Sequence, residues 1–143
     1  MCMNKTAKSI LLSNSFEKLA SVYSAEVLEK LESTAELDTT FRNKAMILAD
    51  KASVADTEYI FSTWGMPVFD EAEIAACFPK LKAVFYAAGS VQEFARPFLN
   101  AHIKVFSAWA ANAVPVAEYT AAQIVLGMKG FFAASRLCKH SYK

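Results

Sequence analysis

Leu81-Lys-Ala-Val-Phe-Tyr-Ala-Ala-Gly-Ser90 reads as a strand followed by a turn. Ala83-Val-Phe-Tyr86 is apolar without interruption, and Ala88-Gly89-Ser90 breaks it. A strand with one wet face alternates apolar and polar residues, whereas a strand covered on both faces is a continuous apolar run. The same texture recurs on either side, in Ser9-Ile-Leu-Leu12, Tyr59-Ile-Phe-Ser62 and Ile103-Lys-Val-Phe106. Ala35 to Leu37 is a short second strand. Between the strands lie segments with apolar residues at helical spacing: Phe16 to Leu31, Asn43 to Lys51, Asp70 to Cys77 with Asp70 as its cap, and Val91 to Asn100, which Pro97 ends or kinks. Strand and helix alternate throughout, so the reading is an α/β sandwich around a parallel sheet.

Beyond the fifth strand comes Ser107-Ala-Trp-Ala-Ala-Asn112-Ala-Val-Pro115-Val-Ala-Glu118. Here a small-residue loop leads into a long apolar helix. Asn112 is a good capping residue, and Pro115 suits a first helical turn, where its missing N–H costs nothing.

The totals narrow the function. The chain has 143 residues, enough for one domain with a real core, and a net charge of +1. Its Lys and Arg are scattered, so no nucleic-acid footprint is expected. Hydrophobic residues make up 55%, which implies a dense core or a surface that faces a partner. Cys2, Cys77 and Cys138 are odd in number and lack CxxC spacing, as expected of thiols in a reducing compartment. The first residues lack the apolar stretch of a signal peptide. Tyr119 to Met128, the longest uncharged run of the last helix, is too short to span a bilayer. The expectation is a cytoplasmic protein with no membrane partner.

Ligands of an open parallel sheet bind beyond the carboxyl ends of its strands. Four loops therefore matter: Ser13 to Ser15, Thr63 to Pro67, Ala87 to Ser90, and Ser107 to Asn112. Ala88-Gly89-Ser90 is either a plain tight turn or a set of amides facing an anion. Trp64, Gly65 and Met66 either wall a small-molecule pocket or pack on the sheet. Asn112 either caps its helix or hydrogen-bonds a ligand. Glu118 sits one turn into the helix, where the dipole favours a carboxylate, and reads as structural. His102 and His140 have no Asp, Glu or Cys partner in sequence, so neither a metal site nor a catalytic histidine is expected. No GxGxxG or GxxxxGK[ST] occurs, which removes the usual phosphate-binding loops. The first strand ends in Ser13-Asn14 and the third in Thr63-Trp64, without the clustered aspartates of a phosphate-accepting receiver domain.

Taken together, Pro79 to Ser90, His102 to Ser107 and Asn112-Ala-Val-Pro-Val-Ala-Glu118 resemble the N-terminal half of the D-isomer-specific 2-hydroxyacid dehydrogenases. The resemblance is clearest from about Thr57 to Gly130. Its most specific part is the Asn-x-x-x-Val-Ala-Glu helix start at its distance after the glycine turn. It implies a flavodoxin-like parallel sheet of about five strands with helices on both faces, followed by a long interdomain helix. The implied division is a substrate-side domain over 1–111 and an interdomain helix over 112–143, leading to a Rossmann domain outside this chain.

By the same resemblance, the amides of Ala88, Gly89 and Ser90 receive the carboxylate of a small 2-hydroxy or 2-keto acid. The Trp64-Gly65-Met66 loop lies on the substrate side. Asn112 lines the site near substrate and nicotinamide, and Ala113 lies where NAD or NADP comes close. The family's GxGxxG and its catalytic Arg, Glu and His fall after Lys143, so no catalytic residue is expected within the chain. The chain alone is expected to be inactive and to bind no cofactor tightly. Val91-Gln92 stands where the family often has an acidic residue. The apolar last helix is expected to meet the absent domain or to form a homodimer. A stand-alone, non-catalytic α/β binding or dimerisation module is the alternative.

Overall fold

The computed structural model describes residues 7–138. They divide into two compact units, one ending at Ala108 and the other beginning at Trp109.

The first unit is a five-stranded, all-parallel sheet. Its strands are β1 (Lys8–Leu12), β2 (Glu36–Asp38), β3 (Tyr59–Ser62), β4 (Ala83–Tyr86) and β5 (Lys104–Ser107). They lie in the order β2-β1-β3-β4-β5, the flavodoxin-like winding. The helices of this unit are α1 (Phe16–Val22), α2 (Ala25–Thr34), α3 (Lys44–Ala49), α4 (Glu71–Cys77) and α5 (Ala95–Asn100), with a 3-10 turn over Lys51–Val54.

Alternation along each strand feeds two cores. Ile10, Leu12, Ile60 and Val84 point to the larger one, where Phe69, Ile74, Phe78 and Phe98 are buried. Phe69 meets Phe78 edge-on at 5.6 Å and Phe98 at 6.3 Å, a preferred aromatic geometry. Leu11 faces the other way, toward Leu19 and Tyr23, with Leu28 and Leu31 packed beside them.

Local chemistry sets the helix boundaries. The single helix expected over Phe16 to Leu31 is two helices. Ser24 accepts from the Val27 amide and caps α2, and Tyr23, at the end of α1, sends its hydroxyl to the Ser62 carbonyl at 2.9 Å. Burial holds the Tyr23 phenol far above its ordinary range. Asp70 caps α4 in a full capping box, accepting from the Glu73 amide at 2.7 Å while Glu73 accepts from the Asp70 amide at 3.0 Å. Pro97 neither ends nor kinks its helix. α5 begins only at Ala95, so Pro97 falls in the first turn, where an N–H has no intrahelical acceptor to lose.

The second unit holds α6 (Trp109–Met128) and α7 (Phe131–Cys138), separated by Gly130 at φ +70°. None of its described residues is buried. No described helix is long and apolar enough to cross a membrane.

Candidate functional site

The winding reverses between β1 and β3, and in open α/β sheets that switch point is the usual ligand crevice. Here the two loops leaving it are bonded to each other. The Asn14 amide donates to the Gly65 carbonyl at 2.7 Å, and the Ser13 hydroxyl donates to the Trp64 carbonyl at 3.1 Å. Gly65 has φ +89°, and a Cβ there would stand 2.9 Å from the Ser13 Oγ. Glycine is therefore required twice over, for its dihedral angle and for the close approach.

The loop after β3 separates the residues assigned to it. Trp64 is 47% exposed, whereas Met66 is 8% exposed and belongs to the larger core. Trp64 thus presents an indole at the carboxyl edge of the sheet, while Met66 anchors the loop from below.

At the next strand the backbone is left open. Ala88 is 1% exposed, Gly89 half-buried and Ser90 exposed. The Ser107 hydroxyl, at the end of β5, lies 2.6 Å from the Gly89 carbonyl and 3.1 Å from the Ala88 carbonyl, and donates to this pair. The amide N–H groups of Ala88, Gly89 and Ser90 have no acceptor among the described residues. A buried backbone N–H without a partner is rare in folded proteins. The preceding amide, of Ala87, is still held in the sheet by the Ser62 carbonyl at 2.8 Å. Ladder bonding therefore stops at Ala87, and the donors beyond it are available to an acceptor from outside. Gly89 is not among the positive-φ glycines of the described residues, which are Gly65 and Gly130.

Serine and threonine at the strand ends are the participants that the sequence reading passed over. Besides Ser13 and Ser107, the Ser62 hydroxyl donates to the Leu12 carbonyl at 2.5 Å and Thr63 Oγ1 to the Ala87 carbonyl at 3.3 Å. The signal was present: β1, β3 and β5 each run into a hydroxyl residue.

Asn112 does not cap the last helix. α6 starts at Trp109, which places Asn112 in its first turn and Pro115 at its seventh residue, inside the helix. A proline there removes one N–H from the ladder. Asn112 and Ala113 contribute one carboxamide and one methyl group from a single helix, and the chain has no glycine-rich phosphate loop. These two residues do not form a dinucleotide cradle by themselves. Among the described residues no group of three His, Cys, Asp or Glu is placed to hold a metal ion. His102 turns the chain from α5 into β5 at φ +59°. Cys77 is buried, its thiol pushed up by desolvation, and Cys138 is exposed. Cys2 and His140 lie outside the described residues.

No family model matches this chain, and no curated protein matches it. Among solved structures it is similar to a glyoxylate reductase from Paecilomyes thermophila, at 18% identity and a TM-score of 0.48. The match covers 71% of this chain and 32% of that one, so the chain spans about a third of that protein's length.

Proposed function

We propose that this chain is the substrate-side part of an NAD- or NADP-dependent oxidoreductase that interconverts small 2-hydroxy and 2-keto acids. The observation that carries the proposal is the set of unpaired amides at Ala88, Gly89 and Ser90, next to a sequence that resembles the 2-hydroxyacid dehydrogenases through Asn112 to Glu118. Backbone N–H groups without an internal acceptor suit a carboxylate. In this reading they fix the acid group of the substrate, and Ser107 positions them by holding the loop carbonyls from below. Trp64 borders the site, Gly65 gives its loop the required turn, and Met66 seats that loop in the core. The family resemblance, not the packing of this chain, assigns Asn112 and Ala113 to the nicotinamide side. The groups that move protons belong to a dinucleotide-binding domain outside this chain.

Titrating the full chain with pyruvate while following backbone amide resonances tests the reading. Ala88, Gly89 and Ser90 are expected to shift together and saturably. Silence at all three would remove the carboxylate assignment. The chain alone is expected to give no oxidation of NADH with a 2-keto acid, and turnover would overturn the division of roles.

A second reading rests on a different observation. Trp109, Tyr119, Met128 and Leu137 are all more than half exposed, and a helix apolar all round is normally buried. A homodimer through α6 and α7 would cover these residues and make the chain a stand-alone assembly module. A single, concentration-dependent dimer in sedimentation favours it, whereas polydisperse association favours a surface made for the absent domain.

A further inference from the structure

The loop after β4 is built from the consecutive peptide units Ala87–Ala88, Ala88–Gly89 and Gly89–Ser90. In each of them the carbonyl is bonded and the N–H is not. The Ala87 carbonyl accepts from Thr63 Oγ1 at 3.3 Å. The Ala88 and Gly89 carbonyls accept from the Ser107 hydroxyl at 3.1 Å and 2.6 Å. The N–H groups that complete these units belong to Ala88, Gly89 and Ser90, which have no acceptor among the described residues. The peptide bonds of the described residues are trans, and in a trans unit the carbonyl and the N–H point in opposite directions. The Gly89 and Ser90 N–H groups therefore point away from Ser107, and the Ala88 N–H points away from Thr63.

The two hydroxyls stand on either side of β4. Thr63 follows β3 and Ser107 ends β5, the strands that flank β4 in the sheet. Bonding a carbonyl fixes the plane of its peptide unit and so aims the N–H on the far side. It also polarises the unit, strengthening that donor by about 10–30%. We infer that Thr63 and Ser107 are paired positioning residues of the anion site, each acting through the peptide unit it bonds: Thr63 on the Ala88 N–H, Ser107 on those of Gly89 and Ser90. This rests on the carboxylate reading above and adds Thr63 to it. Thr63 is fully buried, so it reaches a ligand only through the backbone. The assignment carries a register: each hydroxyl governs the N–H one residue beyond the carbonyl it bonds.

Thr63→Val and Ser107→Ala, made in the full chain and followed by backbone amide resonances, test this register. Without ligand, Thr63→Val is expected to move the Ala88 amide nitrogen and to leave that of Ser90 in place. Ser107→Ala is expected to move Ser90 most, Gly89 next and Ala88 least, because the Gly89 carbonyl makes the shorter bond. With pyruvate as the probe, each variant is expected to bind about threefold to tenfold more weakly than the parent, the size of one lost hydrogen bond. Thr63→Ser and Ser107→Thr keep a hydroxyl and are expected to return to within about twofold of the parent. All three amides moving alike in both variants would mean a loop that loosens as a whole, and would overturn the inference. Weak binding that Thr63→Ser and Ser107→Thr fail to rescue would overturn it too. If the parent binds pyruvate and Thr63→Val and Ser107→Ala bind it equally well, only this inference falls. If pyruvate leaves the parent's loop amides unshifted, the carboxylate reading falls, and this inference with it.

Discussion

Residues before and after Ala108 follow opposite rules. The first unit interlocks Phe69, Phe78 and Phe98 beneath its sheet and ties its loops together across the strand ends. The second unit has a comparable supply of apolar residues, yet none of its described residues is buried. Hydrophobic composition is thus a poor guide to where a core forms. What separates the units is strand pairing, which brings alternate side chains from distant parts of the sequence onto one surface. Two consecutive helices totalling fewer than about 40 residues lack the surface-to-volume ratio for a core of their own.

The largest test of this contrast compares two phenylalanines. Phe69 is fully buried, and Phe69→Ala is expected to cost about 3–5 kcal/mol of unfolding free energy. Phe131 is 52% exposed, and Phe131→Ala is expected to stay within about 0.5 kcal/mol in dilute, monomeric protein. Chemical denaturation of both variants decides it, and equal losses would erase the distinction. A middle-sized effect is expected at the stitched edge. Gly65→Ala forces a side chain into φ +89° and against Ser13, at a cost of about 2 kcal/mol. A loss well below that would mean that the two loops shift independently.

The smallest effect sharpens the contrast between core and surface. Arg42 hydrogen-bonds Asp38 at 2.6 Å and lowers its carboxyl to about 2, against about 3.9 in an unfolded chain. Because the folded value is the lower one, the pair stabilises the fold fully above about pH 4 and loses that contribution as the pH falls toward 2. Asp38 is partly exposed, so Asp38→Asn is expected to cost less than about 1 kcal/mol at neutral pH. Denaturation curves of parent and variant should converge across that acid window.

The sheet was legible because its strands are apolar runs that locate themselves to within a residue or two. Boundaries were less so wherever a tertiary contact overrode the local pattern. Apolar spacing runs through Tyr23 as one helix, yet the Ser24 cap and the reach of the Tyr23 hydroxyl to Ser62 break it. Asn112 has the chemistry of a cap, but the apolar Trp109-Ala-Ala stretch is itself helical and starts α6 earlier. In the candidate site, the glycine turn and its amides were visible from Ala88-Gly89-Ser90. The roles of Ser107 and Thr63 depend on which loops become neighbours, which spacing along the chain does not encode.

The Ser107 hydroxyl carries a single proton and faces two carbonyls, of Gly89 and Ala88. Rotation about one C–O bond redistributes that proton without moving the backbone. The loop therefore loses its conformational freedom when the chain folds, not when a ligand arrives, and the entropy of ordering is already spent at encounter. A loop prepared this way would capture an acceptor without rearranging, at an on-rate whose temperature dependence is that of diffusion through water.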